Sequence, residues 1–500
     1  MSHFLSKAKY LAAMLVLSIL AAWSSDSSLN KPQYLGEIKR NEHGELVPVP
    51  VTNQSPVQTD LPKLPATTNS SSSSDKGALL PPVKNLAKSP AVSKLGATEK
   101  NSVSASNRVL RVGPMQALRT IASAAAIAKS GDTIEIDPGD YVGDVAVWTQ
   151  DSLTIRGVGT TRPRLLADGK SAQGKGIWVV RGGKITVENL VFKDAKVPDR
   201  NGAGIRFEKG QLTIRNCAFL NNENGILTAP GSTSELVIEN SEFGYNGYGD
   251  GQSHGMYVGA IKKLQVSGSY FHNNKEGHLL KSRASENYIL YNRLTDETGG
   301  TASYELEFPS GGTAYVVGNI IQQSATTSNS TIISYGMEGY GWPVNELYLS
   351  HNTIVDDRPS GGIFLSFKPG AQKLLARNNL LVGKGDLTSR PLAGLKQKAI
   401  ALAKHYLTDT PEPAPPPPQT TQMLLTNNIT TDWSSFAQAS RFDYRIKKEA
   451  LFKMKIVEPG FANDFSLQLQ REYVHPASSK GLTTKVTLPG AIQSPAVAVQ

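Results

Sequence analysis

Three ionisable side chains lie close together in the segment GHLLKSRASENYILYNRL, residues 277–294, namely His278, Lys281 and Arg283. The segment reads as two β-strands joined by a turn, because apolar and polar residues alternate along it. A strand that only supports a hydrophobic core does not need two cations and a histidine, and burying an unpaired charge is costly. Lys281 is therefore expected to point outwards, with Leu279 and Arg283 on its side of the strand.

Two other short segments carry ionisable residues in the same alternating pattern. In GMYVG (255–259), Tyr257 lies between two apolar residues and is expected to point outwards. In YELEF (304–308), Glu305 and Glu307 are expected outside, while the tyrosine, leucine and phenylalanine that alternate with them face the core. A tyrosine, a lysine and a pair of carboxylates are groups that can move protons or bind charged ligands.

A repeat determines how these segments are placed relative to one another. ITVENLVF (185–192), LTIRNCAF (212–219), LVIENSEF (236–243) and LQVSGSYF (264–271) share one apolar alternation, and looser copies follow at intervals of mostly 24–28 residues. The polar residues that mark successive repeats are Asn189, Asn216, Asn240, Gly268, Asn292, Asn319, Asn352, Asn379 and Asn428. Two or three short strands without a helix in each repeat predict stacked coils of a parallel β-helix, with the asparagines in a ladder at the turns. Neither a leucine-rich repeat nor a propeller blade has this spacing.

The repeat predicts that Tyr257, Lys281 and Glu307 stack on three successive coils, and we call these three residues the outer row. Strands of neighbouring coils lie about 4.8 Å apart, so the three side chains are expected within reach of one another. His254 and His278 are expected at the edges of the same surface.

The next coil is expected to add aromatic groups beside the outer row. The segment SYGMEGYGW (334–342) contains Tyr335, Tyr340 and Trp342, together with Glu338. Aromatic faces suit the apolar faces of sugar rings. The aromatic residues and both glutamates of YELEF are therefore predicted to contact substrate, and the glutamates can also neutralise Lys281 or bind a cation.

Both ends of the repeat region resemble a known superfamily. MQALRTIASAAAIAKSGDTIEIDPGDY (115–141) predicts a short helix that covers the first coil, followed by a turn and a strand. This stretch resembles the start of the pectate-lyase-like right-handed β-helices, and DFSLQLQREYVHPASSKGL (464–482) resembles their closing segment. The resemblance covers about residues 108–482 and implies an all-β, right-handed parallel β-helix with a short N-terminal capping helix. It does not determine function, because this fold carries lyases, hydrolases, esterases, epimerases and phage-type adhesins.

A shorter motif resembles the alginate and chondroitin lyases with this fold. EGHLLKS (276–282) keeps their spacing of a glutamate, four residues and then Lys-Ser. The resemblance implies that Lys281 is the catalytic base and that Glu276 binds calcium. Those enzymes place an Arg-His-Gly about one coil later, where this chain has YELEFPSGG. The acid role would then pass to Tyr257, His254 or Arg283.

The leading hypothesis is a lyase that cleaves a uronate-containing polysaccharide by β-elimination. This reaction needs cations to neutralise the carboxylate and groups that remove one proton and supply another. The proposed catalytic residues are Lys281, Arg283, Tyr257, His254 and His278, and the proposed substrate-binding residues are Glu305, Glu307, Tyr335, Tyr340 and Trp342.

Four other interpretations fit the same residues. A glycoside hydrolase would use Glu305 and Glu307 as its carboxylate pair. A uronate epimerase would need nearly the same groups as a lyase. A non-catalytic glycan-binding or assembly protein of the envelope would use these residues only to bind a ligand, without a reaction. A structural ladder of ion pairs would need no ligand. The histidine spacing does not favour zinc.

The remainder of the chain predicts export. Residues 1–25 resemble a signal peptide, 26–107 a disordered linker, 409–422 a Pro-rich insertion in the β-helix domain and 483–500 a C-terminal tail. The single cysteine cannot form an internal disulfide, and the net charge of +10 suits a polyanionic partner. We therefore expect a secreted or periplasmic monomer that binds an acidic polysaccharide, without nucleic acid or a stable membrane anchor.

Overall fold

The computed structural model describes residues 108–388, 421–447, 450 and 454–494, together with the backbone of the antiparallel strand pair Ile38–Arg40 and Leu46–Pro48. That strand pair belongs to a separate compact unit, and the β-helix belongs to the unit formed by 103–394 and 413–500. The predicted signal peptide, most of the linker, residues 409–420 of the insertion and the last six residues of the tail lie outside the described residues.

Three parallel sheets run the length of the β-helix unit. The strands of the first sheet are Val109–Val112, Thr133–Ile136, Ser152–Gly157, Lys184–Glu188, Gln211–Arg215, Gly231–Glu239, Ile261–Ser267, Glu286–Leu290, Thr313–Val317, Glu346–Ser350, Lys373–Arg377 and Gln422–Thr426. The strands of the second sheet are Asp140–Val142, Arg164–Leu166, Val191–Lys193, Ala218–Leu220, Glu242–Gly244, Tyr270–His272, Arg293–Thr295, Ile320–Gln323, Thr353–Asp356, Leu380–Val382 and Ile429–Thr431. The strands of the third sheet are Ala146–Trp148, Gly176–Val180, Ala203–Phe207, Asn224–Thr228, Met256–Val258, Leu280–Ser282, Leu306–Phe308, Thr331–Tyr335, Ile363–Phe367 and Asp386–Thr388.

Each complete coil gives one strand to each sheet, so equivalent residues of successive coils pair in register. Lys184–Glu188 pairs with Gln211–Arg215 without a shift, for example. Inside the coil, the repeat supplies one large apolar side chain per turn, and these stack on one another. The rings of Phe192, Phe219 and Phe243 are parallel within 9°, with centroids 5.0 and 4.8 Å apart. The predicted all-β parallel β-helix is confirmed.

The recurrent asparagines mark two different positions of the same turn. Asn189, Asn216 and Asn240 follow paired strands of the first sheet in register, and each has a left-handed backbone with φ between 49° and 60°. From Gly268 onwards the left-handed position passes to Tyr291, Gly318, His351, Asn378 and Asn427. The prediction of a single row of markers was therefore wrong by one residue in the second half, because sequences such as YNR, GNI and HNT do not reveal which of two adjacent residues takes the left-handed conformation.

The asparagines of the second half form a ladder of side chains at the turn. Nδ2 of Asn292 donates to Oδ1 of Asn319 at 3.0 Å, and Asn319 donates in the same way to Asn352. The ladder continues through Asn379 to Asn428, with distances of 2.9 and 2.8 Å. The Oδ1 atom of each of these partners also accepts the backbone N–H of the preceding asparagine, so the ladder satisfies polar groups at a buried turn.

The ends of the β-helix carry additional elements. The helix Ile121–Ile127 begins after Thr120, whose hydroxyl accepts the N–H of Ser123, and its Ile121 is fully buried in the core. The closing segment contains the 3-10 helices Trp433–Ser435 and Ala439–Arg441. It also contains three antiparallel pairs, Phe436–Gln438 with Asp443–Ile446, Phe461–Ala462 with Phe465–Ser466, and Arg471–Val474 with Ser478–Gly481. Within the described ranges, no helix is long and apolar enough to cross a membrane.

Candidate functional site

The third sheet places the outer row in register. Leu280–Ser282 pairs with Met256–Val258 on one side and with Leu306–Phe308 on the other, so that Lys281 lies directly between Tyr257 and Glu307. Met256 and Val258 are fully buried, as the alternation predicts, and Tyr257 and Lys281 are partly exposed. The outer row therefore lies on one face of three consecutive coils, but only Tyr257 and Lys281 reach solvent, because Glu307, which was expected to contact substrate, is buried.

Lys281 is held between two carboxylates. Its Nζ atom lies 3.1 Å from Oε2 of Glu307 and 3.2 Å from Oε1 of Glu338. The other oxygen of Glu338 accepts from Nη2 of Arg283 at 2.6 Å. Glu338 belongs to the loop 336–342, which we call the Glu338 loop, and this loop follows a strand two coils further along the helix. In the sequence, Glu338 is the acidic residue of a Gly-rich segment. The strand periodicity does not predict the course of this loop, so it does not predict that Glu338 contacts Lys281.

The two histidines lie beneath one end of the row. The backbone N–H of His278 donates to Nδ1 of His254 at 3.0 Å, and the two ring centroids are 4.5 Å apart. Nδ1 of His254 is thus an acceptor, which leaves Nε2 to carry the proton of the neutral ring. Burial lowers the pKa of His254 well below its usual range, and the positive charges of Lys281 and Arg283 act in the same direction.

His278 connects the histidine pair to the outer row. Its Nδ1 atom lies 2.9 Å from Oε2 of Glu307, although the groups are not aligned for a good hydrogen bond. Burial lowers the pKa of His278, and this effect outweighs the opposite effect of Glu307. Both histidines are therefore neutral near neutral pH.

Tyr257 is fixed by Arg283. Nη1 of Arg283 donates to the hydroxyl oxygen of Tyr257 at 2.6 Å, and the guanidinium carbon lies 5.1 Å from the centre of the tyrosine ring. The same guanidinium contacts Glu338 through its other nitrogen, so Arg283 links Tyr257 to the Glu338 loop. A phenol hydroxyl and two cations are thus collected on one surface.

Both carboxylates of the site are ionised. Burial alone would raise the pKa of Glu307, but His278 and Lys281 outweigh burial and hold it below the usual range. Burial acts on Glu338 in the same way and is outweighed by Arg283 and Lys281, so its pKa is also lowered. The site therefore contains two cations and two carboxylates and has no net charge.

Three residues that were expected on the outer surface lie inside the β-helix instead. Glu305 is fully buried, because its strand begins only at Leu306 and the chain bends just before it, so the alternation does not extend back to Glu305. The equivalent bend of the preceding coil buries Leu279, which was expected on the side of Lys281. Tyr335 is also fully buried and donates its hydroxyl to the carbonyl of Gly312 at 2.6 Å. Neither Glu305 nor Tyr335 can contact a polysaccharide in this arrangement.

The other predicted aromatic residues anchor the Glu338 loop. Nε1 of Trp342 donates to the carbonyl of Arg283 at 3.1 Å, and the hydroxyl of Tyr340 donates to the carbonyl of Lys368. Both side chains are partly buried. The polar atoms of Tyr340 and Trp342 hold the Glu338 loop in place. Only the exposed parts of their rings are available to contact a sugar.

Glu305 is a buried carboxyl group in the core. Neither of its oxygen atoms has a hydrogen-bond partner among the described residues, and its backbone bonds place it between the coils of Leu280 and Ile332. Burial raises its pKa well above the usual range, and the nearby Asp296 and Asp356 raise it further. The folded state therefore binds a proton at this group that the unfolded state has released above about pH 4.3.

We predict that Glu305→Leu raises the free energy of unfolding by about 1–3 kcal/mol at about pH 8. Because the folded pKa of Glu305 is raised, its stabilising contribution is complete below the unfolded pKa and is lost as pH rises towards the folded pKa. The gain should therefore shrink towards about pH 4. Urea denaturation at several pH values measures it, with the exposed Glu276→Leu as a control that should show no such trend. An equal effect at both ends of the pH range would contradict the buried ionisable group.

The structure gives the expected calcium site no set of ligands. Glu276 is exposed in a turn with φ of 59°, and its backbone N–H donates to Oγ1 of Thr301. Within the part of the chain that the structure describes, no group of three or more His, Cys, Asp and Glu side chains is placed to hold a metal ion. No step of the proposed reaction uses calcium.

The match to a family model agrees with the architecture. The family model of a right handed beta helix region matches residues 149–321 and 203–381. The crystal structure of the pectate lyase Pel9A is 12% identical, with a TM-score of 0.37, and the match covers 57% of this chain and 80% of that one. The PL6 family polysaccharide lyase Pedsa3628 from Pseudopedobacter saltans is 14% identical, with a TM-score of 0.30 and coverage of 68% and 96%. The comparison with curated proteins found no match. None of these likenesses assigns a role to a residue of this chain.

Proposed function

We propose that this chain, a right-handed parallel β-helix, binds an acidic polysaccharide across the outer row and cleaves it by β-elimination. One observation carries the proposal. Arg283 holds the hydroxyl oxygen of Tyr257 at 2.6 Å, directly beside Lys281 on the next coil. A proton-transfer group and two cations are thus placed together on a surface that the fold does not need for its core.

The reaction makes two demands that these groups can meet. The carboxylate of the uronate must be neutralised, so that the proton on the carbon beside it can be removed. The electron pair then forms a carbon–carbon double bond while the glycosidic carbon–oxygen bond breaks, and the leaving oxygen takes up a proton. Cations stabilise the negative charge that develops on the uronate, and a positioned side chain moves the proton.

The geometry favours different roles for Lys281 and Tyr257. Carboxylate oxygens lie 3.1 and 3.2 Å from Nζ of Lys281, and such contacts suit an ammonium group. We therefore assign Lys281 and Arg283 to the uronate carboxylate, and we assign proton transfer to Tyr257. Arg283 donates to the oxygen of Tyr257, so this oxygen can take up the proton of the uronate carbon as the phenolate and then, as the hydroxyl, give that proton to the leaving oxygen.

Glu307 and the histidines support the row in this proposal. Glu307 has only 6% of its side chain exposed and contacts both His278 and Lys281, so it fixes the position of the lysine. His254 holds the backbone of His278 in place through Nδ1. The hydrolase alternative loses its carboxylate pair, because Glu305 is fully buried and does not share a surface with Glu307.

We predict that Tyr257→Phe lowers the rate of elimination by about 10²–10⁴-fold, because it removes the proton-transfer group and leaves both cations in place. The assay incubates the protein with a panel of acidic polysaccharides and follows the ultraviolet absorbance of the unsaturated uronate. Tyr248→Phe is the matched control, since Tyr248 is an exposed tyrosine that also lies beneath an arginine, Arg200, at 4.5 Å. The control should keep the full rate.

The products of the unmodified protein separate the proposal from its alternatives. New reducing ends without the chromophore would indicate a hydrolase. Inverted uronates in an intact polymer would indicate an epimerase. Binding without any chemical change would indicate a glycan-binding protein, and each of these three outcomes would reject the lyase.

A further inference from the structure

The carboxylate of Glu338 occupies the place where a bound carboxylate would contact both cations of the site. Its Oε1 atom lies 3.2 Å from Nζ of Lys281, and its Oε2 atom accepts from Nη2 of Arg283 at 2.6 Å. Each of the two carboxylate oxygens thus contacts a different cation. A planar anion that uses both of its oxygens in this way is the type of partner that paired cations bind best.

The backbone around Glu338 is fixed independently of its side chain. The N–H of Glu338 donates to the carbonyl of Pro309 at 3.0 Å, and the N–H of Gly341 donates to the carbonyl of Ser310 at 2.9 Å. The indole of Trp342 adds a third anchor on Arg283. The side chain of Glu338 can therefore rotate into solvent without any opening of the loop.

The two carboxylates of the site differ in how easily they can be replaced. The side chain of Glu307 is 6% exposed and lies against His278 and Lys281, whereas that of Glu338 is 48% exposed. Ion pairs that are open to solvent contribute little net free energy, because water competes for both partners. Glu338 is thus the carboxylate that an incoming anion can displace at low cost.

We propose that Glu338 is a specificity-determining residue that fills the carboxylate subsite formed by Lys281 and Arg283 until the carboxylate of a ligand replaces it. This inference rests on the proposed function for the polymer, but the subsite itself requires only a carboxylate. When Glu338 leaves, Lys281, Arg283 and Glu307 have a net charge of +1. The vacated subsite therefore favours an acidic sugar, and a neutral sugar has no group that can compensate for the displaced contacts.

The test compares the unmodified protein with Glu338→Gln, using sodium glucuronate and glucose as probes in NMR titrations. We expect Glu338→Gln to bind glucuronate about three- to tenfold more tightly, because a neutral amide competes less well for the two cations. The affinity for glucose should not change. Glu239→Gln is the matched control, since it breaks another exposed Arg–Glu pair, the 2.6 Å contact with Arg215. It should leave both affinities unchanged.

Equal or weaker binding of glucuronate by Glu338→Gln would overturn the inference, provided that its melting temperature shows a folded protein. The elimination assay answers a separate question. If no acidic polysaccharide yields an unsaturated uronate but Glu338→Gln binds glucuronate more tightly, the lyase proposal fails and the carboxylate subsite stands. If polymers are cleaved and the variant shows no gain in affinity for glucuronate, the subsite assignment fails and the lyase proposal stands.

Discussion

Replacing Lys281 with methionine is expected to lower the rate of elimination by about 10²–10³-fold, which is the usual cost of removing one charged group that stabilises a developing negative charge. Methionine keeps much of the length of the lysine side chain and removes the ammonium that faces the substrate. The same absorbance assay measures this loss, with an acidic polymer that the unmodified protein cleaves.

The same substitution should also affect stability. The side chain of Lys281 is 13% exposed and that of Glu307 only 6%, so Lys281→Met removes one of the partners of a nearly buried carboxylate. The alternation of the sequence predicts a solvated lysine whose loss costs little, whereas this burial predicts a cost of about 1–3 kcal/mol. A lower rate alone therefore does not distinguish a catalytic residue from a structural ion pair.

A second variant separates these two effects. Lys281→Met combined with Glu307→Gln removes both charges, so the melting temperature should recover while the rate stays low. Lys262→Met is the control for an exposed lysine, because Lys262 pairs with Glu235 at 2.6 Å and is 53% exposed, and it should change neither quantity. A double variant that regains both stability and activity would show that Lys281 has a structural role only.

Asn319→Ala is expected to lower the free energy of unfolding by about 2–4 kcal/mol, through the loss of several buried hydrogen bonds. The side chain of Asn319 donates to Oδ1 of Asn352 and to the carbonyl of Ile289, and its oxygen accepts from the backbone and the amide group of Asn292. Alanine leaves these partners unsatisfied inside the turn. Thermal or urea denaturation measures the change.

The control for the ladder is an asparagine at the neighbouring position of the turn. Asn240 is exposed and left-handed, and the equivalent residue of the next coil is Gly268. Asn240→Gly should therefore cost less than about 1 kcal/mol, because glycine adopts this backbone conformation without strain. Similar losses for both variants would contradict the distinction between the two positions.

The sequence alone determined the architecture and the outer row. Each of these features depends on a local period: alternation within a strand decides which side chains face the core, and the repeat decides which residues of successive coils are neighbours. The pattern was strong enough to place Tyr257, Lys281 and Glu307 side by side, although the asparagine markers slipped by one residue after Gly268. The pairing of two strands depends on all of their residues, so a one-residue error in the position of a turn marker does not change the predicted neighbours.

Only the tertiary structure determined the orientation of side chains at the strand ends and the course of the loops that follow. Glu305 is inside the β-helix, because the bends and bounds of short strands depend on packing and not on the alternation itself. Tyr335 is inside because its strand places it in register with the buried Phe308. The position of Glu338 depends on the path of a loop that reaches back over two coils to Lys281 and Arg283. A loop has no period, and its course is set by anchoring contacts such as the one between Trp342 and Arg283, which are distant in the sequence. The sequence therefore contained every charged group of the site, and the fold determined which of them are paired.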